Sequence, residues 1–136
     1  MNPIIKVLSE TDYDTYLSKW WADWGMAPVP KGFLPLDGKG GLIIYDGDVP
    51  VCAGFLYLTN SKVGLVNWII SNKEYRGGFK RQIGIAILLE ALVDSAKQAG
   101  CEYVYTHIKN WQLEKYFERE GFIKSCTYSS EFIKKI

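Results

Sequence analysis

The sequence predicts an α+β fold in which helices pack on a mostly antiparallel sheet, in the order β-α-β-β-β-α-β-α-β. Three observations carry this. Residues 42–70 hold three apolar, strand-like runs joined by short turns. One long helical pattern follows over about residues 81–99. Shorter strand, helix and strand patterns then complete the chain. At 136 residues the chain reads as one domain, 1–136, long enough to bury about two thirds of its unfolded surface. With 48% hydrophobic and 23% charged residues, the composition excludes a disordered, collagen-like or coiled-coil chain.

Residues 3–8 are short and apolar, a first strand. Ser9 stands three residues before Asp12, a capping-box-like helix start. Behind it Tyr13, Leu17, Trp20, Trp21 and Trp24 fall on one helix stripe. These aromatics either pack the core or wall an acceptor site. Gly25 ends the helix, and the Pro- and Gly-rich stretch to Gly41 is an irregular connection. Gly38-Lys39-Gly40 is not a phosphate loop, because Gly32 is one position too far and Gly40 replaces the hydroxyl residue.

Leu42-Ile43-Ile44-Tyr45 is followed by the turn Asp46-Gly47-Asp48, a strand at 51–58, the turn Asn60-Ser61-Lys62 and a strand at 63–70. After a basic, glycine-containing loop the long helix sets Ile85, Leu88, Leu89, Leu92, Ala96 and Ala99 on one face, and Gly100 stops it. Residues 103–107 form a strand, Asn110 caps a short helix ended by Gly121, and 122–133 return as strand.

Charge and cysteine content narrow the function. The net charge is +1, which argues against a domain that lives by neutralising phosphates. Residues 1–70 hold 5 basic and 7 acidic side chains, against 11 and 8 in residues 71–136. Lys73, Arg76, Lys80 and Arg81 form the local basic cluster. Cys52, Cys101 and Cys126 with the single His107 lack metal-ligand spacing, so no metal is expected. Odd cysteine number, no signal peptide and no run of about 18 apolar residues point to a reduced, cytoplasmic setting without a membrane partner.

The junction at 65–90 is the informative part. A strand runs into a loop carrying Arg76, Gly77 and Gly78, and the loop runs into a helix N-terminus. Free N–H groups, the dipole end and the basic side chains suit a phosphorylated cofactor. A solvated basic loop before a structural helix is the other reading.

This junction resembles the acyl-coenzyme A site of the GNAT-type N-acetyltransferases. Arg81-Gln82-Ile83-Gly84-Ile85-Ala86 is similar to that family's Gln/Arg-x-x-Gly-x-Gly/Ala loop. Lys73-Glu74-Tyr75-Arg76-Gly77 resembles its Pro-x-Tyr-Arg-Gly segment, with Lys73 replacing proline. Asn110 through Phe117-Glu118-Arg119-Glu120-Gly121-Phe122 resembles its Asn-x-x-Ala…Tyr-Glu-x-x-Gly-Phe ending, with Phe117 replacing the tyrosine that often protonates the leaving thiolate. The two loop patterns are separated by about four extra residues, and the neighbouring Tyr116 is turned by about 100° from the usual position. The element order agrees over nearly the whole chain.

The resemblance implies an N-acyltransferase that moves an acetyl group from acetyl-CoA directly to an amine of a small molecule or protein. It implies coenzyme contacts from Ile69, Ile70, Ser71, Arg76, Gly77, Gly78, Arg81, Gly84, Ala86 and Asn110. A backbone N–H near Ile69 or Ile70 stabilises the oxyanion. Asn67, Tyr105 and His107 stand as candidates to relay the amine proton through water, and Tyr116 as the candidate acid. On this placing, Gly84→Trp is expected to abolish coenzyme binding with the fold intact. The acceptor is expected between the Trp20/Trp21/Trp24 helix, residues 25–41 and the strand at 103–107, with Asp23 and Asp37 suiting a cationic amine. Two alternatives stay open: an enzyme of this fold modifying a nucleic-acid base, and a non-catalytic coenzyme- or partner-binding module. Strand edges after residue 122 could pair into a homodimer.

Overall fold

A computed structural model describes residues 1–125 and 132–135. Five strands, β1 (Pro3–Val7), β2 (Leu42–Asp46), β3 (Val49–Leu58), β4 (Val63–Ser71) and β5 (Tyr103–Tyr105), lie in the order β1-β2-β3-β4-β5. The first four pair antiparallel, and β5 pairs parallel to β4. Turn chemistry explains the meander: Asp46 pairs with Val49 across the Gly47–Asp48 turn, and Leu58 pairs with Gly64 across the next one.

Three helices flank the sheet: α1 (Ser18–Asp23), α2 (Gly78–Gln98) and α3 (Glu114–Arg119). The chain enters α1 through a wide π turn, Tyr13–Leu17, and the Asp12 carboxylate accepts the Ser9 N–H at 2.8 Å, one half of the expected capping box. Ile85, Leu88, Leu89, Leu92 and Ala96 of α2 are buried as the stripe predicts, whereas Ala99 is the exposed C-cap. Asn110 caps the turn before α3 by accepting the Gln112 N–H at 3.0 Å.

The sheet is apolar on both faces. One face packs Ile44, Cys52 and Val66 against α2 and α3. The other packs Ile43, Ala53 and Phe55 against Leu17, Trp20 and Trp21. Trp20 and Trp21 are therefore core residues, as hydrophobic burial favours, and Trp24 alone of the three is exposed.

Three boundaries differ from expectation. Helix α2 begins at Gly78, a turn earlier than Arg81, because Gly77 at φ +152 can break the chain from the preceding loop. Strand β5 ends at Tyr105 instead of His107. Half of the expected strand at 122–133, residues 126–131, lies outside the described residues, and residues 122–125 and 132–135 are not strand. Among the described residues no helix is long and apolar enough to cross a membrane.

Candidate functional site

The site starts where two neighbouring strands part. Parallel pairing of β4 with β5 covers Val63, Gly64 and Leu65, opposite Tyr103, Val104 and Tyr105. One more tie follows, from the Thr106 hydroxyl to the Val66 carbonyl at 2.7 Å. Beyond it β4 runs on to Ser71 along β3 only. The divergence coincides with a bulge: Phe55 faces Asn67 and Ala53 faces Ile70, so Trp68 and Ile69 share the place opposite Gly54. Trp68 has φ +58, an outlier for so bulky a residue. Its N–H is held by Asn67 Oδ1 at 2.9 Å, and its indole Nε1 donates to the Tyr57 hydroxyl at 2.6 Å.

Past the bulge, the Asn72 N–H bonds to the Val51 carbonyl at 2.8 Å. Alternation along an antiparallel strand then turns the backbone of Ser71 and Ile69 to the open edge and that of Ile70 toward β3. Of the expected contacts, Ile69 and Ser71 thus present main-chain groups to the cleft, and Ile70 does not. The Ser71 carbonyl accepts the Trp24 indole Nε1–H at 2.8 Å.

The cleft leads to the N-terminus of α2. The first helical bond runs from the Arg81 N–H to the Gly77 carbonyl at 2.9 Å, so the N–H groups of Gly78, Phe79 and Lys80 have no acceptor within the helix. Arg76 and Lys80 are exposed beside them. Arg81 has another task. Its Nη2 donates to the carbonyls of Tyr75 at 2.6 Å and Lys73 at 3.2 Å, which staples the loop. The Tyr75 hydroxyl ties the same loop to Asp46 at 2.8 Å, and Asp46 also accepts the Asn2 N–H. Those two hydrogen bonds, from Asn2 and then Tyr75, hold the Asp46 carboxyl below its usual range. Lys73 Nζ and the Arg81 guanidinium lie 5.0 Å and 5.9 Å from the centre of the Trp24 ring.

The expected loop 81–86 requires correction. Those residues lie inside α2, where their N–H groups serve helical bonds. Gly84 is buried, and a Cβ there would stand 2.9 Å from Val51 Cγ1, so its role is close helix–sheet packing. Ala86 is about two turns from the helix N-terminus on an exposed face. Gly84→Trp cannot leave the fold intact. The loop that meets the helix N-terminus is 72–77, and the Gly77-Gly78 pair was its signal in the sequence.

The remaining candidates separate by face. Asn67 and Tyr105 lie on the α1 side of the sheet, in register with Phe55, Leu65 and Tyr57. His107 lies exposed past the end of β5. Tyr116 lies on the opposite side, buried with Cys52 and Val66. Burial pushes its hydroxyl above the usual tyrosine value, against the opposing pull of Arg119 and Arg81. Burial likewise pushes the Cys52 thiol far up, which makes it a poor nucleophile. Asp23 is engaged by Lys19 at 2.7 Å. Tyr57, Thr106 and the bulge at Trp68 went unnoticed in the sequence, where Trp68 read only as the start of the strand segment expected to carry the thioester, since periodicity does not mark a bulge.

No family model and no curated protein sequence matches the chain. Solved structures do. Glucosamine-6-phosphate N-acetyltransferase from Arabidopsis thaliana superposes with TM-score 0.69 at 13% identity, covering 98% of this chain and 100% of that one. The ribosomal-protein-S18-alanine N-acetyltransferase from Escherichia coli gives 0.66 at 15% identity, covering 91% and 79%. N-acetylglutamate synthase from Neisseria gonorrhoeae, solved with coenzyme A and L-arginine, gives 0.72 at 13% identity, covering 91% of this chain and 28% of that one. With its mixed, mostly antiparallel sheet and flanking helices, this chain has the fold of the GNAT-type acetyltransferases.

Proposed function

We propose that this chain is an acyl-CoA-dependent N-acyltransferase, most simply an acetyltransferase, that passes the acetyl group directly to an amine. One observation carries the reading: β4 parts from β5 at a bulge and then leads straight to an α2 N-terminus flanked by Arg76 and Lys80. An open strand edge fits the amide-bearing arm of a coenzyme A thioester. Free N–H groups at a helix start fit its pyrophosphate. The fold likeness to acetyltransferases supports the same reading.

In this mechanism the main chain at Ile69 and Ser71 pairs with the arm, and the Ile69 N–H faces the thioester oxygen as it becomes an oxyanion. The amine nitrogen attacks the carbonyl carbon, the C–S bond breaks, and the thiolate takes a proton as the amine loses one. Tyr116, kept protonated by its burial, is the group we assign to the thiolate. Asn67 and Tyr105, on the other face, hold the water that accepts the amine proton. Asn110 caps its turn, and its contact with the coenzyme arm is carried by the family resemblance alone. No covalent enzyme intermediate is needed, in keeping with the unreactive environment of Cys52.

The test is release of free thiol from acetyl-CoA in the presence of an amine panel, read together with the mass of the acylated product. Thiol release that depends on an amine supports the transfer. Coenzyme binding with no product from any amine class would leave a binding module.

A further inference from the structure

Three non-glycine residues, Leu36, Asp37 and Trp68, have left-handed backbone in the described structure. They lie far apart in sequence, yet the segments that carry them meet at one atom. The Tyr57 hydroxyl donates to the Phe33 carbonyl at 2.6 Å and accepts the Trp68 indole N–H at 2.6 Å. Phe33 ends one short helical turn, and the next, Pro35–Gly38, holds Leu36 and Asp37. Strain of this kind persists only where the surroundings fix it, and it concentrates at ligand clamps. Here it brackets the bulge at which β4 leaves β5.

The surface around that hub is aromatic and apolar. Tyr57, Leu65 and Tyr105 stand side by side across β3, β4 and β5 on one face. Helix α1 covers the neighbouring part of this face, over Ile43, Ala53 and Phe55, but Tyr105 remains 56% exposed and Phe33 43%. Two polar atoms of the wall are already engaged: the Tyr57 hydroxyl both donates and accepts, and Asn67 Oδ1 takes the Trp68 N–H. The carboxylates of Asp14 and Asp23 are paired with Lys31 and Lys19. Apart from the Tyr105 hydroxyl and the Asn67 amide nitrogen, what faces a ligand is ring faces and aliphatic carbon.

We propose that this wall is the acceptor subsite, and that it takes a small primary amine carried on an aromatic ring. The proposal rests on the transferase reading above. The amine reaches the bulge at Trp68, and the ring lies back along Tyr57, Leu65 and Tyr105, where offset or edge contacts are favourable. A polyamine finds the carboxylates of Asp14 and Asp23 already paired and only the exposed Asp37 left of those expected to suit a cation, and a short alkylamine covers little of the wall.

The experiment is a titration of indole-15N-labelled protein with phenethylamine, n-butylamine and spermidine, with and without acetyl-CoA. The Trp68 signal is identified by its loss in Trp68→Phe. Phenethylamine is expected to shift that signal at a concentration about tenfold below the other two amines, and Tyr105→Ala to weaken its binding about fivefold. Tyr105 is exposed, so its variant keeps the core. Equal half-saturation by the three amines, or shifts that spare Trp68, would overturn the subsite. Acetyl-CoA affinity is read in the same samples. If acetyl-CoA binds and the aromatic preference is missing, the subsite fails and the transferase reading stands. If acetyl-CoA does not bind, the transferase reading fails, while the amine preference is still read on the free protein.

Discussion

Tyr116 and Gly84 show how much a single position decides. The Tyr116 hydroxyl is raised above the usual value of about 10 chiefly by burial, so the protonated, donating form persists through neutral pH. An acid in that state gives a turnover that is flat on its account up to alkaline pH and falls as the hydroxyl ionises. Tyr116→Phe is expected to lower kcat and to remove that alkaline limb; a pH–rate profile that keeps the limb would assign the acid elsewhere. Gly84 is a packing residue. Gly84→Ala sets a methyl against Val51, and overpacking of this kind costs about 1–3 kcal/mol, which urea denaturation can read. Gly84→Trp is expected to yield no folded protein by circular dichroism.

At the scale of elements, the loop 72–77 is what aims the α2 N-terminus. Arg81 holds it from within through three carbonyls, and the Tyr75–Asp46 bond holds it from the sheet. Arg81→Ala is therefore expected to weaken acetyl-CoA about tenfold by loosening the loop, with the salt dependence of binding little changed. Loss of a direct phosphate contact instead flattens that dependence. Asp46 supplies a pH signature. Its carboxyl is depressed on folding, so its stabilising effect is full above the unfolded value of about 3.9 and is lost as pH falls through the lower folded value. Asp46→Asn should flatten the acid side of the melting-temperature profile below about pH 4; an unchanged profile would mean that the bond contributes nothing.

Element identity was legible because it depends on local patterns. The meander strands, the α2 stripe and the Asn110 cap all follow from periodicity and turn residues. The junction was legible as a place but not in detail. Arg81-x-x-Gly84-x-Ala86 fits a loop pattern by spacing alone, while the helix had already begun at Gly78, and only the packing of Gly84 on Val51 explains why a glycine is needed there. The bulge was not legible at all. Trp68 reads as one more strand residue until pairing leaves two residues opposite Gly54 and a hydroxyl on a neighbouring strand fixes its indole.

At the scale of the whole molecule, a near-neutral chain places its local basic cluster at the mouth of the one splayed strand pair among the described residues. Long-range steering is weak at net charge +1, so on the proposed reading affinity for a polyanionic coenzyme rests on the α2 N-terminus and the exposed Arg76 and Lys80. Calorimetric titration of acetyl-CoA into the protein and into the Arg76→Glu/Lys80→Glu variant tests this most directly. Micromolar binding, weakened about tenfold or more in the double variant, is the expected result; no binding up to millimolar coenzyme, or equal affinity in the two proteins, would contradict a coenzyme site at the β4–α2 junction.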